Sequence, residues 1–437
     1  MDIILYSIPL FFLLLFAEVG LQAWTGRRLH RLNDSVSDLS LGVLSQLSGI
    51  VTKFLAVGIF AWVETNWALQ RWIPAVPGWP EGNFVTASEA SPLGILVSVP
   101  QLLSWSAVFL LVDLAYYWSH RLSHRINLLW AGHVVHHSSE EYNLAVALRQ
   151  SSLHGLFTWV FYLPLALVGI PWEMYVACYA LNLVYQFWIH TRAVGKLSRP
   201  AEWILNTPSH HRVHHGVNPK YLDRNHAGVF ILWDRMFGTF QPEEDEPVYG
   251  ITHPLRSWNP LWANVHVFWE VGRKVVGAES WRDRWMYLFG PPGWAPPAEG
   301  GREVPPEVTR DAFEAWDTRI PGMLAAYGLV QFITAVGATL FLLAGADALP
   351  VIQLAGGAFY VTVALAGIGG VFEAARWAAP LEAARLMVLA GACLVLWIQG
   401  GLGGVVTLSG IAFCLVSVTW LATQRRHLVE SELAPIM

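Results

Sequence analysis

The sequence predicts an all-α integral membrane protein of about nine transmembrane helices, with a cytoplasmic helical cap that carries a histidine-rich dimetal site. Two observations predict the membrane class: 54% of the 437 residues are hydrophobic, and only 14% are charged, against about 25% in an ordinary soluble domain. A third observation, the concentration of histidines in three short motifs, predicts the metal site. The net charge of −5 is mild and gives no sign of a nucleic-acid partner.

Apolar runs long enough to cross a membrane recur along the chain, since a spanning helix needs about 20 mostly apolar residues. The predicted spans are 3–23, 41–63, 93–118, 153–170, 173–190, 323–345 and 349–372, followed by the run 384–422, which the GGLGG sequence at 400–404 divides into two. The first run has no basic region before it and no cleavage site after it, so we expect a retained membrane helix. The three cysteines stand alone in apolar runs and predict neither a disulfide nor a thiolate metal site.

The basic residues predict the orientation of these spans, because Lys and Arg concentrate in cytoplasmic loops. With the N-terminus outside, every Lys and Arg except Lys53 and Arg71 falls on the cytoplasmic side. That side then carries Arg27, Arg28, Arg31, Arg121, Arg125, Arg149, Arg376, Arg385, Arg425, Arg426 and the basic residues between Arg192 and Arg319. The same orientation makes a cytoplasmic cap of 119–152 and 191–320. We expect a membrane domain with the site over 1–320 and a C-terminal region of four transmembrane helices over 321–437.

Three histidine motifs have the spacing of metal ligands. HRLSH at 120–124 places two imidazoles one helical turn apart, and HVVHH at 133–137 and HRVHH at 211–215 each place three within about one turn. In the latter two motifs the adjacent pair can diverge toward two neighbouring centres. A further histidine ends the predicted fifth span. The candidate metal ligands are His120, His124, His133, His136, His137, His190, His211, His214 and His215.

Nine imidazoles exceed what one tetrahedral or octahedral ion can use, whereas two metals with four or five each would use them all. Imidazole suits Fe, Zn, Cu and Ni, so the ligands alone leave the metal open. A pair of irons that activates dioxygen, with open positions beside a lipid substrate, is the chemistry that this arrangement favours. Among the other histidines, His210 is expected beside the ligands, and His154 near the site has no assigned role. Four histidines outside the motifs are expected to be surface or capping residues: His30, His253, His266 and His427.

Three polar residues near the motifs are candidates for a catalytic or supporting role. Asp113 lies seven residues before His120 in the third predicted span, where a carboxylate is costly unless it has a partner. We expect it to orient His120 or His124, as carboxylates commonly do for ligating histidines, or else to bond within the helix bundle. Glu140 and Asn143 follow the second motif and either do similar work or are solvated.

The order of the motifs, HxxxH, HxxHH and HxxHH between membrane spans, resembles the fatty acid hydroxylase and sterol desaturase superfamily of integral-membrane di-iron enzymes. Longer strings resemble the branch of this superfamily that cleaves ether lipids. These strings are WAGHVVHHSSEEYNLAVALRQS, NTPSHHRVHHGVNPKYLDRNHAGVFILWDRMFGTF, YGITHPL and GPPGWAP. The resemblance covers most of the chain.

This resemblance implies a helical membrane fold, two iron ions held by the motif histidines with His190 as a further ligand, and dioxygen as the oxidant. It also implies an electron donor, either tetrahydrobiopterin or a redox protein. The implied reaction hydroxylates the ether-linked carbon of an alkylglycerol and releases a fatty aldehyde. One alternative is a fatty acid, sterol or carotenoid hydroxylase or desaturase with the same metal site. A second is a non-catalytic membrane protein that binds or transports metal.

Overall fold

Helices make up the whole architecture that the computed structural model describes, over residues 3–69 and 99–428, and no β-strand occurs within these ranges. Two isolated antiparallel bridges, Leu205 with Phe230 and Gly216 with Tyr249, are the only strand-like pairings there. The all-α prediction is therefore confirmed for the described part of the chain.

The α-helices are numbered here in chain order. They are α1 Ile3–Thr25, α2 Leu32–Trp67, α3 Val99–Arg125, α4 Asn127–His137, α5 Gly155–Thr158, α6 Leu163–Val168, α7 Trp172–Trp188, α8 Arg199–Ile204, α9 Pro208–His214, α10 Leu232–Met236, α11 Pro260–Gly277, α12 Trp281–Phe289, α13 Gly322–Ala344, α14 Val351–Phe372, α15 Ala378–Ile398 and α16 Gly404–Thr423.

Seven of these helices are long and apolar enough to cross a membrane: α1, α2, α3 and α13 to α16. The chain is therefore a multi-pass membrane protein. Two predicted spans do not reach this length among the described residues, so the count of nine is not confirmed. The predicted span 153–170 is divided into α5, a 3-10 turn over Trp159–Tyr162, and α6, where Pro164 has no N–H to continue a helix.

The predicted span 173–190 corresponds to α7, which has only 17 residues and carries the polar residues Asn182 and Gln186. Helix α2, in contrast, is much longer than the predicted 41–63, with 36 residues. Residues 93–98 of the third predicted span, and Arg71, lie outside the described residues.

The chain divides into two compact units. The first comprises Met1–His30, Ser48–Thr252 and Val267–Phe313, and the second comprises Arg31–Leu47, His253–His266 and Glu314–Met437. All candidate ligands belong to the first unit. The expected domains 1–320 and 321–437 stay a prediction.

In the first unit, α3 packs against α7 and is followed directly by α4. An apolar core that includes Val112, Ile170 and Met174 fills the contact between α3 and the segment from α6 to α7. The side chain of Asn127 at the start of α4 donates to the carbonyl of Tyr287 in α12 (2.8 Å). These contacts fix the end of α3 and the whole of α4, which carry two of the three histidine motifs.

In the second unit, the C-terminal helices α13 to α16 surround a buried ion pair. Arg385 contacts Glu382 one turn earlier in α15, and Tyr327 donates to the same carboxylate (2.6 Å). The prediction placed Arg385 on the cytoplasmic side, at the start of the run 384–422, and the structure buries it within α15, seven residues after the helix begins at Ala378. A charge can lie inside an apolar bundle when a counter-charge and hydrogen bonds satisfy it. The distribution of basic residues along the sequence could not reveal that Glu382 is the partner of Arg385.

Candidate metal centre

The structure brings all nine candidate ligands together in two compact groups. Within each group, one side-chain nitrogen of every histidine lies within 4.8 Å of the corresponding atoms of the others. Group one consists of His120, His124, His133, His137 and His214. Group two consists of His136, His190, His211 and His215.

Local helical geometry explains this division. His120 and His124 lie one turn apart in α3, and His133 and His137 lie one turn apart in α4, so each pair points to one group. The intervening His136 turns toward group two. His214 and His215 also separate, the first into group one and the second into group two. The adjacent histidines of both HxxHH motifs thus diverge, as the spacing predicted.

The third motif depends on a short helix with a defined start. Thr207 is the extended N-cap of α9, Pro208 follows it at the first helical position, and His210 completes a capping box with Thr207. His210 also pairs through Nε2 with the carboxylate of Glu202 (3.0 Å). His210 therefore lies outside both groups, as the sequence predicted, and sets the register of His211 and His214.

Backbone carbonyls hold the rings of four ligands by accepting from Nδ1. His136 donates to Arg149 (3.0 Å) and His190 to Gln186 (2.7 Å) in group two. His120 donates to His226 (2.8 Å) and His214 to Arg224 (2.9 Å) in group one. A neutral imidazole that donates from Nδ1 presents a lone pair at Nε2. This outer hydrogen bond is the usual way in which proteins orient metal-binding histidines.

The facing Nε2 atoms form contacts that hydrogen bonding does not explain. The Nε2 atoms of His136 and His190 lie 3.2 Å apart, although both rings donate from Nδ1 and so present lone pairs to each other. The Nε2 atoms of His124, His214 and His215 are buried and have no hydrogen-bond partner within the described residues. A cation between the rings would satisfy all of these lone pairs, so the residues fit a metal at each group.

The protonation state of the histidines also suits metal binding. Burial lowers the pKa of His136 to about 4. Burial, followed by the nearby imidazole of His214, lowers the pKa of His137 well below its ordinary value. Both rings are therefore neutral near pH 7, and neutral imidazole is the form that binds metal.

The carboxylate of Asp113 has other partners than His120 or His124. It accepts hydrogen bonds from the side chain of Asn182 (2.6 Å), the amides of Val229 and Phe230 (2.9 and 3.0 Å) and the indole of Trp233 (2.9 Å). It therefore joins α3 to α7 and to the segment before α10, which corresponds to the alternative of a bond within the bundle. A side chain at Gly228 would lie 2.7 Å from this carboxylate, so the close approach requires glycine.

The other two candidates also have structural surroundings. Asn143 donates to the carbonyl of Leu29 (2.9 Å) and accepts from the amide of Ala145 (2.9 Å), so it fixes the turn that follows α4. Glu140 is buried, and its side chain packs against Gly250. Neither belongs to a histidine group.

Four residues beside the groups carry features that the motif spacing did not reveal. His154 is partly buried beside His133, with ring centroids 5.0 Å apart, and its Nε2 bonds to Ser123 (3.1 Å). Asp223, in a left-handed conformation, is the carboxylate nearest to His124, at 3.8 Å from its Nδ1. His226 and Asp234 lie near group one and are fully buried. In the sequence, the only sign that Asp223, His226 and Asp234 lie near the site is their position shortly after the third motif.

Together, these observations define a multi-pass membrane protein in which two buried histidine groups are arranged to bind metal beside the end of a candidate membrane helix. Residues 105–239, which contain every candidate ligand, match the fatty acid hydroxylase family. No solved structure matches the chain.

Curated relatives narrow the assignment. The chain is 35% identical to the alkylglycerol monooxygenase of Xenopus tropicalis over 381 residues, which cover 86% of this chain and 79% of the relative. It is 34% identical to the human alkylglycerol monooxygenase over 391 residues, covering 89% of this chain and 81% of the relative. An ornithine lipid hydroxylase of Rhizobium tropici is 28% identical over 145 residues, covering 32% and 44%. The chain belongs to the alkylglycerol monooxygenase family and is an oxygen-dependent monooxygenase.

Proposed function

We propose that this protein is a di-iron monooxygenase that hydroxylates the ether-linked carbon of alkylglycerols. The observation that carries the proposal is the pair of buried groups, one of five imidazoles and one of four. The relatives that this chain matches over most of their length are alkylglycerol monooxygenases. The oxidation of an unactivated C–H bond needs chemistry that no side chain supplies. Bound irons would supply dioxygen activation.

The chain's own residues would hold each iron and exclude water from it. The histidines of both groups are buried, and Nδ1–H bonds to backbone carbonyls fix four of the rings for binding. His120 and His124 end the candidate span 102–125, so a substrate whose alkyl chain remains in the membrane would reach them without leaving it. The positive-inside rule supports a cytoplasmic site under the cap 119–152 and 191–320.

The proposed reaction consumes dioxygen, two electrons and two protons. One oxygen atom becomes a hydroxyl on the alkyl carbon next to the ether oxygen, and the other leaves as water. The product is a hemiacetal, whose collapse breaks the bond between this carbon and the ether oxygen. A fatty aldehyde and a glycerol derivative result.

We propose tetrahydrobiopterin as the electron donor, bound in a polar cavity of about 410 Å³ that includes Arg28, Glu243 and Tyr249 in its lining. The hydroxyl of Tyr249 is buried and has no hydrogen-bond partner within the described residues. Its ring stacks on Tyr142 at 4.9 Å, and Tyr142 lies 5.2 Å from His215 of group two, by ring centroids. A small polar heterocycle would satisfy the hydroxyl and lie a short distance from the proposed metal.

The direct test is aldehyde release from a long-chain alkylglycerol by the purified, iron-loaded protein, with and without reduced pterin. We expect release only with the reductant and dioxygen. We expect His137→Ala and His214→Ala to lose this release and part of the iron at group one. Tight zinc without iron, and no oxygen consumption with any lipid, would instead indicate a metal-binding or transport protein.

A second candidate is hydroxylation of another membrane lipid, which the similarity to an ornithine lipid hydroxylase favours. The same assay with a fatty acid, a sterol or a carotenoid distinguishes the two. Hydroxylated product from one of these lipids, with none from alkylglycerol, would replace the first candidate.

A further inference from the structure

His226 is a buried histidine that belongs to neither group. It follows the third motif by eleven residues and has no accessible surface. Neither of its ring nitrogens has a hydrogen-bond partner within the described residues. A neutral imidazole carries one N–H donor and one lone pair. Leaving both unpaired away from water costs free energy, so such a residue requires an explanation.

The His226 ring lies beside three imidazoles of group one. Its centroid lies 5.1 Å from that of His124, 5.7 Å from that of His214 and 5.8 Å from that of His120. These distances resemble those between the members of the group themselves, for example 5.3 Å between His120 and His124. His226 therefore borders group one.

The backbone and Asp234 hold His226 in this position. The His226 carbonyl accepts from Nδ1 of His120 (2.8 Å), and its amide donates to Asp234 (2.8 Å). The same carboxylate accepts from the amide of Ala227 and the hydroxyl of Thr239. The carboxylate lies 3.7 Å from Nδ1 of His226, which is too far for a hydrogen bond. The ring is thus fixed in place while its nitrogens stay without partners.

The number of imidazoles in group one suggests a hydrogen-bond partner for the His226 ring. Five imidazoles leave one position of a six-coordinate metal for a ligand that the protein does not supply. No nitrogen of His226 is among the ligand nitrogens of group one, which all lie within 4.8 Å of one another. His226 is therefore next to group one but is not one of its five imidazoles. A small ligand in the remaining position would offer the hydrogen-bond acceptor that the His226 ring lacks.

We propose that His226 is a positioning residue that donates a hydrogen bond to a small exogenous ligand of the metal at group one. This inference rests on the proposed function, because it requires a metal at that group. His226 itself neither binds the metal nor transfers a proton. His226 stabilises the exogenous ligand through one directed N–H.

The test measures azide binding to the ferric, full-length protein, with azide as the probe ligand and its charge-transfer absorption as the readout. The variants are His226→Phe, which removes the donor, and His226→Gln, which keeps an N–H. His154→Gln is the matched control, because His154 is a partly buried neighbour of group one whose Nε2 already has a partner. The iron content of every protein is determined first.

We expect all four proteins to hold the same iron. Azide binding by His226→Phe should be about tenfold weaker or more, as the loss of one hydrogen bond to a charged ligand predicts. His226→Gln should restore most of the affinity, and His154→Gln should match the unsubstituted protein.

Three results would overturn the proposal. Unchanged azide affinity in His226→Phe would show that no hydrogen bond is made. Loss of iron in both His226 variants, with iron retained in His154→Gln, would make His226 a metal ligand. Equal weakening in His154→Gln would show a general effect of losing a buried ring. An unsubstituted protein without iron would instead contradict the proposed function itself, and the iron measurement separates that result from the other three.

Discussion

The adjacent histidines His136 and His137 belong to different groups, so replacing one or the other should remove iron from a different group and to a different extent. His136 belongs to group two, where its loss leaves three imidazoles, and His137 belongs to group one, where its loss leaves four. Four-ligand zinc sites bind with about 10–16 kcal/mol in total. One ligand therefore contributes roughly 2.5–4 kcal/mol, which is about a hundred- to thousandfold in affinity.

The prediction is an asymmetry between His136→Ala and His137→Ala after the same chelator treatment. We expect His136→Ala to retain about one iron per chain, because three imidazoles fall below the four of an ordinary structural site. His137→Ala should retain more, since its group keeps four. The measurement is iron per chain by mass spectrometry, with Mössbauer spectra to distinguish a paired centre from an isolated one.

His266→Ala is the matched control, because His266 lies in α11 and belongs to neither group. It should hold as much iron as the unsubstituted protein. Equal iron loss from His136→Ala and His137→Ala, or two irons retained by both, would refute the division into a group of five and a group of four.

Three further predictions concern residues around the site and in the C-terminal helices. Asp113→Asn should lower the free energy of unfolding by about 1–3 kcal/mol in thermal unfolding in detergent, because an amide cannot accept from all four donors of that carboxylate. Glu382→Gln should lower the stability of the C-terminal helices by about 3–5 kcal/mol, since it leaves Arg385 buried without its counter-charge, while iron content stays unchanged. Tyr249→Phe should weaken the equilibrium binding of tetrahydrobiopterin about five- to tenfold, as the loss of one hydrogen bond predicts, without loss of iron.

Each of these predictions has a contradicting outcome. Undiminished stability of Asp113→Asn would show that the four hydrogen bonds to the carboxylate do not hold the segment before α10. Loss of iron in Glu382→Gln would show that the C-terminal helices support the metal centre. Unchanged pterin affinity in Tyr249→Phe, with the fold intact, would remove the cavity as the site of the donor.

The convergence of the candidate ligands could be predicted from sequence because helical periodicity fixes much of it locally. Residues three and four positions apart share a helix face, so HxxxH and HxxHH define which rings converge before any tertiary contact is known. His190 lies in no motif and was a candidate only through its position at the end of an apolar run; the structure brings it beside His136 and His211.

Other features could not be predicted because they depend on partners distant in the chain. The bonds of Asp113 reach residues 69 to 120 positions away. Nothing local distinguishes His226 from a surface histidine until the fold brings it beside His124. Hydropathy also counted 153–170 as a span, although the helix is broken there. The distribution of basic residues could not show that Arg385 is buried beside Glu382 inside α15.

The central claim, that the protein inserts one atom of dioxygen into the ether-linked carbon, is tested most directly with isotopically heavy dioxygen. The iron-loaded protein is incubated with an alkylglycerol and reduced pterin, and the aldehyde is reduced at once to the alcohol, so that its oxygen does not exchange with water. We expect one heavy oxygen atom in the fatty alcohol and none in the glycerol product. An unlabelled alcohol, with the heavy oxygen only in water, would contradict the claim.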